Sequence, residues 1–123
     1  MTSPKHQVIL CLASNTNQQQ NMEAARKLLS QLLDDLHYTT EHWTEPVNAL
    51  RPDKYLNQLA KGTTNLEPDE LNQRLKDIEQ QLERKHDKSG IVTIDIDLLA
   101  YDSERYHLRD WERDYVKDLL PEL

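Results

Sequence analysis

Apolar and polar positions change period several times along this chain, and each change marks an element. Gln7 to Ala13 is a continuous apolar run closed by Ser14-Asn15-Thr16-Asn17, which predicts a central strand followed by a turn. From Gln18 to His37 the apolar residues recur at three- and four-residue steps. Met22, Ala25, Leu29, Leu32 and Leu36 form a stripe, Leu28 and Leu33 widen it, and Asn15 or Asn17 can cap the start. Tyr38 to Trp43 is rich in Thr and aromatics and reads as a second strand, broken by Thr44-Glu45-Pro46. Asn48 to Lys54 reads as a loop, and Tyr55 to Thr64 as a third strand with Gly62 marking a bulge or an early end. Pro68 and the acids after it open a second helix, whose stripe of Leu71, Leu75, Ile78 and Leu82 runs to about Lys85. Ile91 to Tyr101 then alternates with period two. Val92, Ile94, Ile96, Leu98 and Ala100 fall on one face, and Thr93, Asp95 and Asp97 on the other. A short helix is expected from Trp111 to Leu120, stopped by Pro121.

The predicted order is β-α-β-β-α-β with a C-terminal helix. That is an α+β, ferredoxin-like arrangement: an antiparallel sheet with two helices on one face, in a single domain over residues 1–123. The two stripes would cover the face that carries Ile94 and Ile96. Asp95 and Asp97 would look out from the open one.

Composition narrows the function classes. Of 123 residues, 37% are hydrophobic and 30% charged, which sets a thin core under a very polar surface. A formal net charge of −7 gives no field to draw a polyanion, so nucleic acid is excluded as a non-specific partner. The single cysteine, Cys11, cannot form an internal disulfide and fits a reducing, cytoplasmic setting. It reads as a small buried hydrophobe. The apolar run near the start is too short for a signal peptide or a membrane span. The five histidines are scattered without ligand spacing, and with only two glycines there is no Gly-rich phosphate loop.

The chemistry sits on the alternating strand. Asp95 and Asp97 point the same way from a rigid element, with Cβ atoms roughly 7 Å apart. Parallel like charges cost energy unless a cation lies between them, and Mg²⁺ with a phosphate substrate is the usual one. The alternative is a solvated outer face, where Asp discourages edge-to-edge aggregation.

This strand with its neighbours resembles the 6-hydroxymethyl-7,8-dihydropterin pyrophosphokinase family. The residues that carry the resemblance are Gly90-Ile91-Val92-Thr93-Ile94-Asp95-Ile96-Asp97-Leu98-Leu99-Ala100-Tyr101, the earlier Leu12-Ala13-Ser14-Asn15, Thr44-Glu45-Pro46-Val47 and Tyr55-Leu56-Asn57, and the helix from Leu66 to Arg84 with Ile78 and Glu79 in register. The resemblance implies transfer of pyrophosphate from ATP to a hydroxymethyl pterin on a ferredoxin-like sheet, with two Mg²⁺. It implies that Asp95 and Asp97 hold the metals and carry the catalysis. Asn57 and Thr44 would read the polar edge of the pterin, with Tyr55 and Trp111 stacking on it. Glu79 and Arg109 would lie at the nucleotide. Arg84, Lys85 and Lys88, in the densest basic run of the chain, could clamp its phosphates, or could simply complement the helix C-terminus. The expected partners are therefore a pterin and ATP, with no nucleic acid and no membrane, and a monomer or a weak homodimer.

Several positions depart from the family pattern, Ala13 among them, which stands where the family has glycine. Ser89 and Val92 stand where the family carries a tryptophan and an arginine near the nucleotide, and Val92 cannot make a bidentate phosphate contact. The sequence therefore also carries a second reading, a catalytically degenerate homologue that binds a pterin or a nucleotide. A third is a small acidic interaction domain.

Overall fold

The computed structural model describes residues 5–46, 51–82 and 89–123. Strand β1 (His6–Ser14) runs through the centre of the sheet. It pairs antiparallel with β4 (Tyr55–Thr64) on one side and with β5 (Asp95–Tyr101) on the other. Beyond β4 lie β2 (Asp34–Tyr38) and β3 (His42–Thr44), which pair with opposite ends of it like one interrupted edge strand. Beyond β5, among the described residues, is only the two-residue β6 (Glu104–Arg105). With β2 and β3 taken together, the strand order is that of the expected ferredoxin-like α+β sheet.

Helices α1 (Gln18–Leu32) and α2 (Pro68–Gln81) cover one face. Their stripes, Met22, Ala25 and Leu29 from α1 and Leu71, Leu75 and Ile78 from α2, meet Val8, Leu10, Leu12, Leu56 and Ile96 of the sheet, and Ile94 just before β5, in one buried core. Fully burying each such side chain is worth roughly 1.5–3 kcal/mol.

Besides the second strand, expected over Tyr38–Trp43 but split at residues 39–41 into β2 and β3 with Thr44 inside β3, three boundaries differ from the sequence expectation. Helix α1 ends at Leu32 instead of His37, and Leu33 is already extended. Asp34 and Asp35 would put two negative charges on the negative end of the helix dipole. Instead β2 begins at Asp34, and Asp35 within it holds φ 53° where the register shifts. Leu36, expected on the helical stripe, packs from the strand against the same core. The last strand begins at Asp95, not Ile91. The segment before it is braced by the buried Asn15, whose side chain accepts from Val92 N (2.7 Å) and donates to Gly90 O (2.8 Å).

The third difference concerns the far face. The expected Trp111–Leu120 helix is broken in two: α3 (Leu108–Trp111) and α4 (Asp114–Leu119). Pro121 does not stop the chain but sits inside a closing 3₁₀ turn, Leu120–Glu122, where its missing N–H costs nothing. This C-terminal segment folds back onto the sheet face away from α1 and α2. There Val116 and Leu119 bury Cys11, Leu59 and Leu99 in a second cluster. The face is thus roofed at one end and open at the other.

Strict alternation also fails once within β5. Leu10 stands opposite Leu98 but Ile9 stands opposite Ala100, so Leu99 is an extra residue in the ladder. After the bulge the faces exchange. Ala100 joins Ile9 on the roofed face, and Tyr101, opposite Val8, enters the helix-side core and donates from its hydroxyl to Leu66 O at 2.7 Å.

Candidate active site

Register brings the separate motifs together. Residues directly opposed in an antiparallel ladder share a face. His42 opposes Asn57, Asn57 opposes Ala13, and Ala13 opposes Asp95, which makes one row across four strands. The next row is Leu59, Cys11 and Asp97, and on the other side Thr44 opposes Tyr55. Thr44, Tyr55, Asn57, Asp95 and Asp97 therefore occupy neighbouring rows of the face away from α1 and α2, although up to 53 positions separate them in sequence.

Asn57 is buried, and its amide nitrogen donates to His42 O (3.0 Å) and Thr44 Oγ1 (2.9 Å). The two residues expected to read a heterocycle edge are thus locked to each other before any ligand arrives. At the rim of the C-terminal roof a cavity of about 250 Å³ opens between Cys11 and Ala13 of β1, Tyr55 of β4, Asp95 and Asp97 of β5, and Asp110, Arg113 and Tyr115 of the roof. Arg113 is held by Asp110, Nε to Oδ1 at 2.9 Å. Tyr115 stacks on His42 with ring centroids 6.3 Å apart, and its hydroxyl lies 3.5 Å from the Cys11 thiol. Burial pushes that thiol up to about 12, so it stays protonated and behaves as the small hydrophobe expected of it. Burial, with Cys11 beside it, also raises the Tyr115 phenol.

Asp97 is the most perturbed carboxylate of the cavity. Burial and the neighbouring Asp95 push it up to about 6, against the opposing pull of Lys76 and His107. Lys76 Nζ lies 3.6 Å from Asp97 Oδ1, and His107 Nε2 lies 4.0 Å from it. His107 holds a left-handed backbone, φ 53°, at the start of α3. Lys76 reaches Asp97 round the outer edge of β5. On the way it donates to Ile96 O (3.3 Å) and to Glu79 Oε2 (3.0 Å), and that same oxygen accepts from Ile96 N at 2.8 Å. Burial works against the Lys76 charge, but the hydrogen bond to Glu79 and the carboxylates of Glu79, Asp97 and Asp95 outweigh it and raise its pKa.

The donor set suits one kind of ion. Asp95 and Asp97 offer hard oxygens from one face, and among the described residues no cluster of three or more His, Cys, Asp or Glu closes around an ion. That is too few protein ligands for a structural Zn²⁺ site. It fits Mg²⁺, which binds through one or two carboxylates and fills its shell with water and phosphate oxygens. A cation already sits beside Asp97 in the form of the Lys76 ammonium.

Other expected residues are placed elsewhere. Glu79 is 1% exposed and lies under β5, outside the cavity. Trp111 does not line the cavity either. Its indole N–H donates to Tyr106 O (3.0 Å) and Leu99 O (3.2 Å), and the Arg105 guanidinium covers its ring at 4.2 Å. The aromatic that the roof contributes to the cavity is Tyr115. Arg109 is exposed on α3 and is not among the residues that line the cavity, although its neighbour Asp110 is. Arg84, Lys85 and Lys88 lie outside the described residues. The sequence reading missed Asp110, Arg113 and Tyr115, because the break between α3 and α4 that aims them is invisible in the apolar pattern. It also missed Lys76, although Glu79 on the apolar side of α2, three residues on, was a usable signal.

The fold is a ferredoxin-like α+β sheet that carries paired carboxylates and a hydrogen-bonded Thr44–Asn57 pair on one face. Residues 9–123 match the 7,8-dihydro-6-hydroxymethylpterin-pyrophosphokinase family, and the chain belongs to it. It is 29% identical over 134 aligned positions to a folate synthesis bifunctional protein of Arabidopsis thaliana, covering 99% of this chain and 28% of that protein. It is 31% identical over 132 positions to a mitochondrial folate synthesis bifunctional protein of the same plant, covering 98% of this chain and 24% of the relative. The chain thus spans about a quarter of the length of these curated relatives. Among the described residues no helix is long and apolar enough to cross a membrane.

Proposed function

We propose that residues 1–123 form a single pyrophosphokinase domain. It transfers the terminal pyrophosphoryl group of ATP to the hydroxymethyl of 6-hydroxymethyl-7,8-dihydropterin. The observation that carries this reading is the shared face: Thr44, Tyr55, Asn57, Asp95 and Asp97 stand in adjacent rows beside one cavity. Asn57 and Thr44 present fixed polar groups to the edge of the pterin, and Tyr55 and Tyr115 offer aromatic surface to its faces. The substrate oxygen attacks the β-phosphorus, the bond to the bridging oxygen breaks, and AMP leaves with that oxygen. Asp95 and Asp97 would hold Mg²⁺, two ions by the family resemblance, which neutralises the charge on the phosphate chain. The protein contributes position and charge, and needs no strong side-chain base. The single, buried Cys11 accords with a reducing compartment such as the cytoplasm. Nothing in this reading requires more than a monomer or a weak homodimer.

The test is AMP release from ATP, Mg²⁺ and hydroxymethyl-dihydropterin. Purified chain should release AMP, and Asp95→Asn or Asp97→Asn should cut the rate by at least about a hundredfold, as for removal of a charge-stabilising group. Folded chain that releases none at saturating substrate would refute the transfer.

A second reading is favoured by Val92 and Ser89, which bring no cation where the family resemblance puts the nucleotide. On this reading the chain binds a pterin without phosphoryl transfer. Calorimetry would then show pterin binding that Tyr55→Ala weakens, with no AMP formed.

A further inference from the structure

The edge of β5 is finished in an unusual way. Strand β6 covers it only at Ala100 and Tyr101. At Ile96 both backbone groups point outward, and α2 satisfies both: Glu79 accepts from the N–H at 2.8 Å and Lys76 donates to the carbonyl at 3.3 Å. An ammonium has three donors. Those of Lys76 are surrounded by Ile96 O, Glu79 Oε2 and Asp97 Oδ1, at 3.3, 3.0 and 3.6 Å. Its side chain is 38% exposed, so the charge is fixed by geometry but still felt by solvent beside Asp97. Glu79 already compensates part of that charge, at the shortest of the three distances.

A fixed positive charge against one ligand oxygen repels any second cation placed there. At separations of a few ångströms, in a partly buried site, this is a sizeable effect. The same charge attracts a phosphate chain. We propose that Lys76 selects by charge what the Asp95–Asp97 pair accepts: it disfavours a bare divalent cation and favours one that arrives with an anionic polyphosphate. Lys76 is here a positioning and selecting residue rather than a catalytic one. The inference rests on the reading of Asp95 and Asp97 as metal ligands. It adds that the site stays closed to free Mg²⁺ by means of a side chain from the opposite layer of the fold. Electrostatic selection of this kind acts through a difference of affinities, with repulsion as the discriminating element.

The experiment measures Mn²⁺ binding to the full chain by the loss of its free electron paramagnetic resonance signal, with and without a non-hydrolysable ATP analogue. Wild type should bind Mn²⁺ alone weakly and the Mn²⁺–nucleotide complex more tightly. Lys76→Met should tighten binding of Mn²⁺ alone on the order of tenfold and weaken that of the complex. Lys76→Arg should return both toward wild type. Lys76→Gln keeps a donor for the Ile96 carbonyl while removing the charge. It should behave like Lys76→Met, which guards against a mere loss of packing, and circular dichroism checks that each variant is folded. Unchanged or weaker binding of Mn²⁺ alone in both neutral variants overturns the inference. If Asp97→Asn leaves Mn²⁺ binding untouched, the metal-ligand reading itself fails, and that outcome is separable because it does not involve Lys76.

Discussion

Asp97 carries opposed demands. Its carboxyl is pushed up to about 6 by burial and by Asp95. In the unfolded chain it titrates near 3.9. The folded state therefore binds the extra proton between those values. By linkage, stability that is fully present below about pH 4 is lost as the pH rises through about 6. Asparagine cannot ionise and escapes that loss. In the absence of divalent metal at pH 7, Asp97→Asn is expected to stabilise the fold by about 1 kcal/mol, a value discounted for partial solvation, and to raise Tm by about 3–5 °C. At pH 3.5 the difference should vanish. Calorimetric melts of both proteins at the two pH values, in chelator, check this. A lower Tm for the variant at pH 7 would mean that the pairing with Lys76 outweighs the burial of the charge. A residue that lowers stability where it stands is one whose presence asks for a functional reason.

At the level of elements, the coupling between α2 and β5 rests on Glu79. It is buried on the apolar side of the helix and takes up the Ile96 N–H and the Lys76 ammonium with one oxygen. Glu79→Ala leaves that amide without its acceptor and removes the shortest of the three Lys76 contacts, an expected cost of about 2–4 kcal/mol in denaturant unfolding. Amide exchange at Ile96 should speed up more than at Leu12, across the ladder in β1. Equal acceleration at both would show global destabilisation and no special role at the edge. Most elements were legible from periodicity, because the α1 and α2 stripes and β4 follow simple repeats that burial enforces. What stayed hidden depends on events between elements. The Leu99 bulge adds one residue to the ladder, and alternation alone cannot reveal on which side of Leu98 it falls. The early end of α1 follows from Asp34 and Asp35 at the wrong pole of the helix, a weak charge effect set against a persuasive Leu36. On the site face, the common direction of Asp95 and Asp97 was legible because a strand fixes it, whereas Thr44, Tyr55 and Asn57 were named only through the family resemblance, and the register sets them on the same face. Trp111 was expected to stack on the pterin from the family resemblance, and the turn at Glu112 and Arg113 brings Tyr115 to the lining of the cavity.

For the whole molecule, one sheet separates two cores with different tasks. The helix-side core contains Leu29, Leu71, Ile94 and Ile96 and holds the strands in register. The roof core contains Leu59, Leu99, Val116 and Leu119, and it places α4, hence Tyr115, at the cavity. The two should be separable by experiment. Leu29→Ala and Leu119→Ala both remove a buried leucine and should each cost about 2–5 kcal/mol. Measured well below both melting transitions, Leu29→Ala should leave pterin affinity within about twofold of wild type, because the sheet face it supports is held by the remaining core. Leu119→Ala should loosen the roof and weaken pterin binding by about tenfold, roughly the worth of one aromatic stacking contact. Mn²⁺–nucleotide binding should survive in both, since Asp95, Asp97 and Lys76 belong to β5 and α2 rather than to the roof. If Leu119→Ala instead reduced both ligands equally, the roof would have to bear on the carboxylates as well, through His107, which lies at the start of α3 and 4.0 Å from Asp97. The ratio of the two affinity losses therefore reports how far the roof and the carboxylate strand act as one site.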